Sequence, residues 1–149
     1  MTGALVAGRD VELLLFRIGS ERFALPLVNA EEAVESLHHE ALPGMPAGML
    51  GIAAHRGRRL PVYATRPLVG VEPAGADPVT LVVQARAGRI GWLIDDVDDV
   101  IRVDLSSLRA VPGPASAEPV LRGVVQHGGE LVAVCDPEVL VRACLGGKP

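Results

Sequence analysis

Four aspartates fall within five positions, Asp95, Asp96, Asp98 and Asp99, and two histidines, His55 and His127, sit beside glycine-bearing turns. These are the residues best suited to hold a divalent metal and run a hydrolytic or ligand-binding centre. The spacing argues against that use. A calcium loop places oxygen ligands at alternate positions around a glycine that makes the sharp turn, and no glycine interrupts this run. On a strand, moreover, neighbouring carboxylates point to opposite faces. A solvated strand end or bulge is the better reading, so the metal-dependent enzyme is kept only as a minor alternative. His38 and His39 are adjacent and diverge in an extended segment, and no pair of residues has the spacing of zinc ligands. No phosphate-cradling loop and no nucleophile elbow are present. Ser36, Ser106 and Ser107 stand in turn-like or helix-start contexts, where local backbone bonding accounts for them.

A second constellation is basic. Arg56, Arg58 and Arg59, with Arg66 nearby, surround a glycine, and Glu31, Glu32 and Glu35 supply an acidic segment upstream. On a hairpin strand Arg56 and Arg58 share one face. Three exposed arginines can be a solvated hairpin tip and nothing more. Beside carboxylates they can also form a rigid ion-pair site, because the planar guanidinium bonds carboxylates in bidentate fashion. Spacing alone leaves these two readings even.

Such residues need a frame, and an internal repeat supplies one. The segments LLF (residues 14–16) and RFALPLVNAEEAV (22–34), shifted by 67 positions, fall on LVV (81–83) and RIGWLIDDVDDVI (89–101). Arg22 meets Arg89, and Glu31-Glu32 meets Asp98-Asp99. GIAAHRGRRLPVYATRPL (51–68), shifted by 72, falls on GVVQHGGELVAVCDPEVL (123–140), so that His55 meets His127 and Gly57 meets Gly129. Pro43-Gly44 has a counterpart in Pro112-Gly113. The order of blocks is kept, which gives two related halves of one domain, about residues 10–70 and 78–145, joined by PAGAD (73–77).

Each half reads alike. Strands over 12–18 and 79–85 meet polar turns, and second strands run over 22–27 and 89–94. The alternation in Arg22-Phe23-Ala24-Leu25 has the period of a half-buried strand. An acidic, bent segment follows, then a Pro- and Gly-containing loop, then a hairpin around HRGR or HGGE. Short strands with frequent turn signals predict two small five-stranded β-barrels rather than a parallel sheet. One helix is signalled: Asp136 caps it, Pro137 opens it, Glu138 suits its positive end, Leu140, Ala143 and Cys144 form its apolar face, and Gly146-Gly147 closes it.

Composition bounds the class. Of 149 residues, 49% are apolar and only 3% aromatic, so the core is built from aliphatic, largely β-branched side chains. A net charge of −4 argues against a nucleic-acid binder. Lys148 is the one lysine, and the arginine bias fits a GC-rich genome at least as well as a special surface. Cys135 and Cys144 read as buried thiols of a reducing cytosol. The amino-terminal stretch lacks a secretory pattern and no apolar run reaches the length of a membrane span.

The ordered blocks resemble the CheW-like domain family over about residues 11–145. LLLFRIGSERFALPLVNAEEAVE is similar to its opening strand, glycine turn and apolar-Pro-apolar strand, with Glu32 at its glutamate position. Gly51, Arg56, Gly57, Pro61 and Val62 match its Arg-Gly block, and Asp95 and Val97 its second-half strand. The resemblance implies two five-stranded, SH3-like barrels packed as pseudo-repeats, and no enzyme activity or cofactor. It implies a cytoplasmic adaptor, peripheral to receptor arrays, whose partners are the regulatory domain of a CheA-type histidine kinase, the cytoplasmic tip of a chemoreceptor, and other CheW-like domains. Glu32 and Arg56 then lie at the family's interacting pair, Gly51 in its receptor-facing region, with Ala30 and Arg58 beside them. Ala30, Ala54-His55 and Ala64-Thr65 depart from the family's usual residues. Those departures fall at the expected contacts, so the alternative is a divergent regulator that binds only one partner. A free-standing copy of the kinase regulatory domain is disfavoured by the presence of both halves and a closing helix.

Overall fold

The computed structural model describes residues 10–112 and 119–146. Gly113 and Gly147, each part of an expected turn or helix end, lie outside them. The chain runs β1 (Asp10–Ile18), β2 (Glu21–Pro26), β3 (Ala30–Glu35), β4 (His39–Glu40), β5 (Met49–His55), β6 (Arg58–Tyr63), α1 (Arg66–Val69), β7 (Val79–Ala85), β8 (Gly88–Ile94), β9 (Asp96–Asp104), β10 (Leu121–His127), β11 (Glu130–Cys135) and α2 (Pro137–Leu145). The fold is mainly β with a short carboxy-terminal helix, as the strand and turn signals predict.

The strands form two sheets, in the orders β10-β11-β2-β1-β9 and β3-β7-β8-β6-β5-β4. Each sheet takes its central hairpin from the other half of the sequence: β1–β2 joins β9–β11, and β7–β8 joins β3–β6. The repeat survives this exchange in every register. Val62 lies opposite Gly91 in one parallel pairing, and Val134 opposite Ala24 in the other. The second sheet has a sixth strand, the two-residue β4, where Glu40 pairs Ile52; its counterpart is a single bridge between Arg109 and Val124.

Exchange explains the burial. In β1, Leu14, Phe16 and Ile18 face a central core lined by both sheets, while Leu13 and Leu15 face a second core within the first sheet. In the other hairpin, Leu81, Val83, Ile90, Trp92 and Ile94 face the centre, and Val82 packs with Ala53, Leu60 and Val62. Strands covered on both faces carry near-continuous apolar runs, which is what LLLF and WLI are. The half-buried strand expected from Arg22 onward is therefore buried on both faces from Phe23 to Pro26. Phe16 joins the halves, stacked on Phe23 at 6.1 Å and edge-on to Trp92 at 5.9 Å.

Helix α2 forms for the expected local reasons. Asp136 accepts from the backbone N–H of Glu138 at 2.9 Å and of Val139 at 3.3 Å. Its buried face is Pro137, Leu140, Val141 and Cys144, so Val141 takes the place expected of Ala143, which is exposed. The Tyr63 hydroxyl donates to the Cys144 carbonyl at 3.1 Å and ties the helix to β6. Its counterpart α1 is a single turn, with Ala64 where the second half has the capping Asp136. Both cysteines are free and buried; burial pushes the Cys144 thiol up to about 12 and Cys135 higher still. Among the described residues no helix is long and apolar enough to cross a membrane.

Candidate functional site

The acidic segment reaches its site through a bulge. Along β3 and β7, Ala30 pairs Val83 and Glu32 pairs Val82, which leaves Glu31 as an extra residue. A bulge suspends the alternation of faces, so two consecutive glutamates converge on one knot. Arg89, on β8, donates from Nε to Glu31 Oε1 at 2.9 Å and from Nη2 to Oε2 at 3.4 Å. The same Nη2 donates to His55 Nδ1 at 2.6 Å. His55 Nε2 donates to Glu32 Oε1 at 2.8 Å, and Arg56 Nε donates to that same oxygen at 3.1 Å.

The knot is graded from inside to outside. The Arg89 and His55 side chains are 8% and 6% exposed, whereas Arg56 is 64% exposed. The Arg89 hydrogen bond holds the Glu31 carboxyl below the usual carboxylate range, against the opposing effect of burial. His55 first and Arg56 second do the same for Glu32. Both glutamates stay ionised where free carboxylates begin to take up protons.

Arg56 stands in the left-handed region, with φ of 53°, followed by Gly57 at 74°. Two residues of positive φ between His55 and Arg58, which pair across the strands, make the tight turn that suits the twist of a hairpin. Arginine therefore occupies a turn position that glycine adopts without steric strain. It does not lie on the strand beside Arg58, as the expectation of a shared face required. Arg58 is exposed and makes no ion pair among the described residues.

The second half repeats the frame but not the knot. Asp98 is the extra residue of an equivalent bulge, since Leu15 pairs Asp99 and Phe16 pairs Val97. Arg22, the counterpart of Arg89, bonds Asp98 at 3.1 Å and Glu130 at 3.2 Å. His127, the counterpart of His55, is 3.8 Å from Asp99 and 36% exposed. Gly128 stands where the first half has Arg56, with φ of 58°.

The remaining expected residues fall elsewhere. Gly51 is buried in β5, and a Cβ there would meet the Glu40 carbonyl oxygen at 2.7 Å and His39 at 2.9 Å, so it admits β4 at close range. Ala30 packs against the central core. Thr65 is fully buried and donates to the Val71 carbonyl at 2.9 Å. Ala30, His55 and Thr65, three of the departures expected at a partner surface, thus point inward, whereas Ala54 is exposed. The carboxylates of 95–99 are occupied by the chain itself. Asp95 accepts from the backbone N–H of Gly19, Ala74 and Gly75; Asp96 and Asp99 each bond the next backbone N–H; Asp98 takes Arg22. No three potential metal ligands converge among the described residues. Sequence reasoning missed Arg89, placed Glu31 only within an acidic segment and weighed His55 as a metal ligand, although the repeat had aligned all three with Arg22, Asp98 and His127.

Residues 12–144 match the model of the CheW-like domain family. The chain is 30% identical over 135 residues to the probable chemotaxis protein CheW of Rhizobium etli, covering 88% of this chain and 87% of that protein. It is 30% identical to protein FrzA of Myxococcus xanthus, covering 88% and 84%. Its fold matches the scaffolding protein TtCheW of Thermoanaerobacter tengcongensis with a TM-score of 0.77 at 19% identity, over 89% of this chain and 88% of that one.

Proposed function

The chain belongs to the CheW-like domain family, and on that premise we propose that it joins the regulatory domain of a CheA-type histidine kinase to the cytoplasmic tip of a chemoreceptor. As a family member it is a non-enzymatic scaffold of chemotaxis-type signalling. Its place is at the cytoplasmic face of a receptor array, where other CheW-like domains are its neighbours. The observation that carries the reading is Arg56. A charged, exposed side chain is held in a left-handed turn position by Glu32, while the equivalent turn of the other half uses glycine. A residue that accepts backbone strain and points outward is there for what its side chain meets. The inward placement of Ala30, His55 and Thr65 supports retention of both partners rather than one, since of the departures only Ala54 is exposed on the outer surface.

Calorimetric titration against the cognate kinase regulatory domain and a receptor-tip fragment tests this. Binding to both is expected. Arg56→Glu should keep the circular dichroism spectrum and weaken binding to at least one partner by about tenfold or more, as loss of a fixed interfacial charge does. Failure of the unaltered protein to bind either partner overturns the reading.

A further inference from the structure

We propose that His55 is a positioning residue for partner binding: with Arg89 it forms an inner clasp that holds Glu32, and through Glu32 it fixes where Arg56 is presented. The inference rests on the adaptor reading above and specifies how its site is kept in register.

The hydrogen bonds determine which form of the imidazole fits. A guanidinium has donors only. Arg89 Nη2, 2.6 Å from His55 Nδ1, must therefore donate to it, and Nδ1 carries no hydrogen. The hydrogen is on Nε2, which faces Glu32 Oε1 at 2.8 Å and donates to it. The neutral Nε2–H tautomer satisfies every partner. A second proton on Nδ1 would set one donor against another and break the link to Arg89.

The groups around the ring close off other arrangements. Glu31 and Glu32 face it from β3, Arg89 from β8, Arg56 from the adjoining turn and Arg58 from the paired position on β6. Arg89 belongs to the opposite sequence half from His55, so the clasp also pins the exchanged hairpin to the hairpin that carries Arg56. The second half provides an internal comparison. His127 has the same place in the repeat, yet lies 3.8 Å from Asp99 and next to a glycine instead of an arginine. Among the described residues the clasp is assembled where there is an arginine to present.

The test has two readouts. Long-range ¹⁵N–¹H spectra of the imidazoles report the tautomer without any partner; the Nε2–H pattern is expected for His55. Kinase-domain affinity is then measured at neutral pH for the unaltered protein, His55→Leu, His55→Gln and His127→Leu. His55→Leu fills the buried site without polar atoms, and should bind about tenfold more weakly at neutral pH, the effect of losing a hydrogen bond to a charged group. His55→Gln keeps a donor for Glu32 and should lie between, and it replaces His55→Leu if that variant does not fold. His127→Leu should match the unaltered protein. An Nδ1–H tautomer, or a His55→Leu variant with unchanged affinity, overturns the clasp. Absence of binding by the unaltered protein overturns the adaptor reading and the role in binding with it, while the tautomer still tests the geometry.

Discussion

A left-handed arginine costs something that the equivalent glycine does not. Placing an L-residue in that region costs on the order of 1–2 kcal/mol, partly offset because glycine loses more freedom on folding. Arg56→Gly should therefore leave stability unchanged or raise it by up to about 1 kcal/mol, read from urea unfolding, while partner affinity falls. A drop in stability would make Arg56 a structural residue and remove its claim to an interface. The two bulge carboxylates should also behave differently. Glu31→Gln keeps an acceptor for Arg89 but removes the opposite charge from a buried guanidinium, which should cost roughly 3 kcal/mol, the lower end for a broken buried pair because Glu31 is itself partly exposed. Asp98→Asn leaves Arg22 bonded to Glu130 and should cost about 1 kcal/mol or less. Equal losses at the two sites would mean that the clasp and its loose counterpart are energetically alike.

At the scale of elements, strands, turns and the helix were readable because each has a local cause: apolar runs, paired positive-φ turn residues, and the Asp136-Pro137 start. The bulge in β9 was readable, since the aspartate run suggested a strand end or bulge, but the one in β3 was not, because consecutive glutamates there look like ordinary strand residues and only pairing with β7 reveals the extra one. Gly51 was readable as special only through the resemblance, and the pairing of β5 adds its structural role. It serves β4, whose backbone it lets approach, and Gly123 does the same for the Arg109 carbonyl, which a Cβ would meet at 2.5 Å. Gly51→Ala should destabilise by about 1–3 kcal/mol, as overpacking does, or release β4, which amide exchange at His39 and Glu40 would show. Asp95 is the other element-level device, because its carboxylate ties the loop between the halves to the β1–β2 turn. Burial alone would raise its pKa, but the N–H groups of Gly75, Ala74 and Gly19 together lower it. A lowered folded-state value means stability that is present above the ordinary aspartate range and is lost as pH falls through the folded-state value. Asp95→Asn should cost about 1.5–3 kcal/mol at neutral pH and flatten the acid limb of the stability curve. A variant as pH-sensitive as the unaltered protein would assign that limb to Glu31 and Glu32 instead.

The whole molecule follows from one topological choice that the repeat cannot reveal. Two halves of matching pattern fit equally well as separate sheets or with their first hairpins exchanged, because the hydrophobic positions and registers are the same either way. Sequential strands usually pair, and that default assigns each sheet to one half. The structure exchanges the hairpins, and the central core then draws Phe16, Phe23 and Leu25 from the first half and Leu81, Trp92 and Leu140 from the second. Neither half owns a complete sheet: the first lacks the partners of β1–β2, and the second those of β7–β8. The chain should therefore unfold in a single cooperative transition, with coincident near- and far-ultraviolet dichroism. Cleavage between residues 73 and 77 supplies the sharper test, because that loop is the covalent link between halves. Each fragment alone should lack near-ultraviolet dichroism, since β1–β2 or β7–β8 exposes faces that the other fragment covers. Mixing should restore the native spectrum, at a rate that rises with concentration. A first fragment that folds alone with native signals would show that β3–β6 close on their own hairpin, and the exchanged pairing would be wrong.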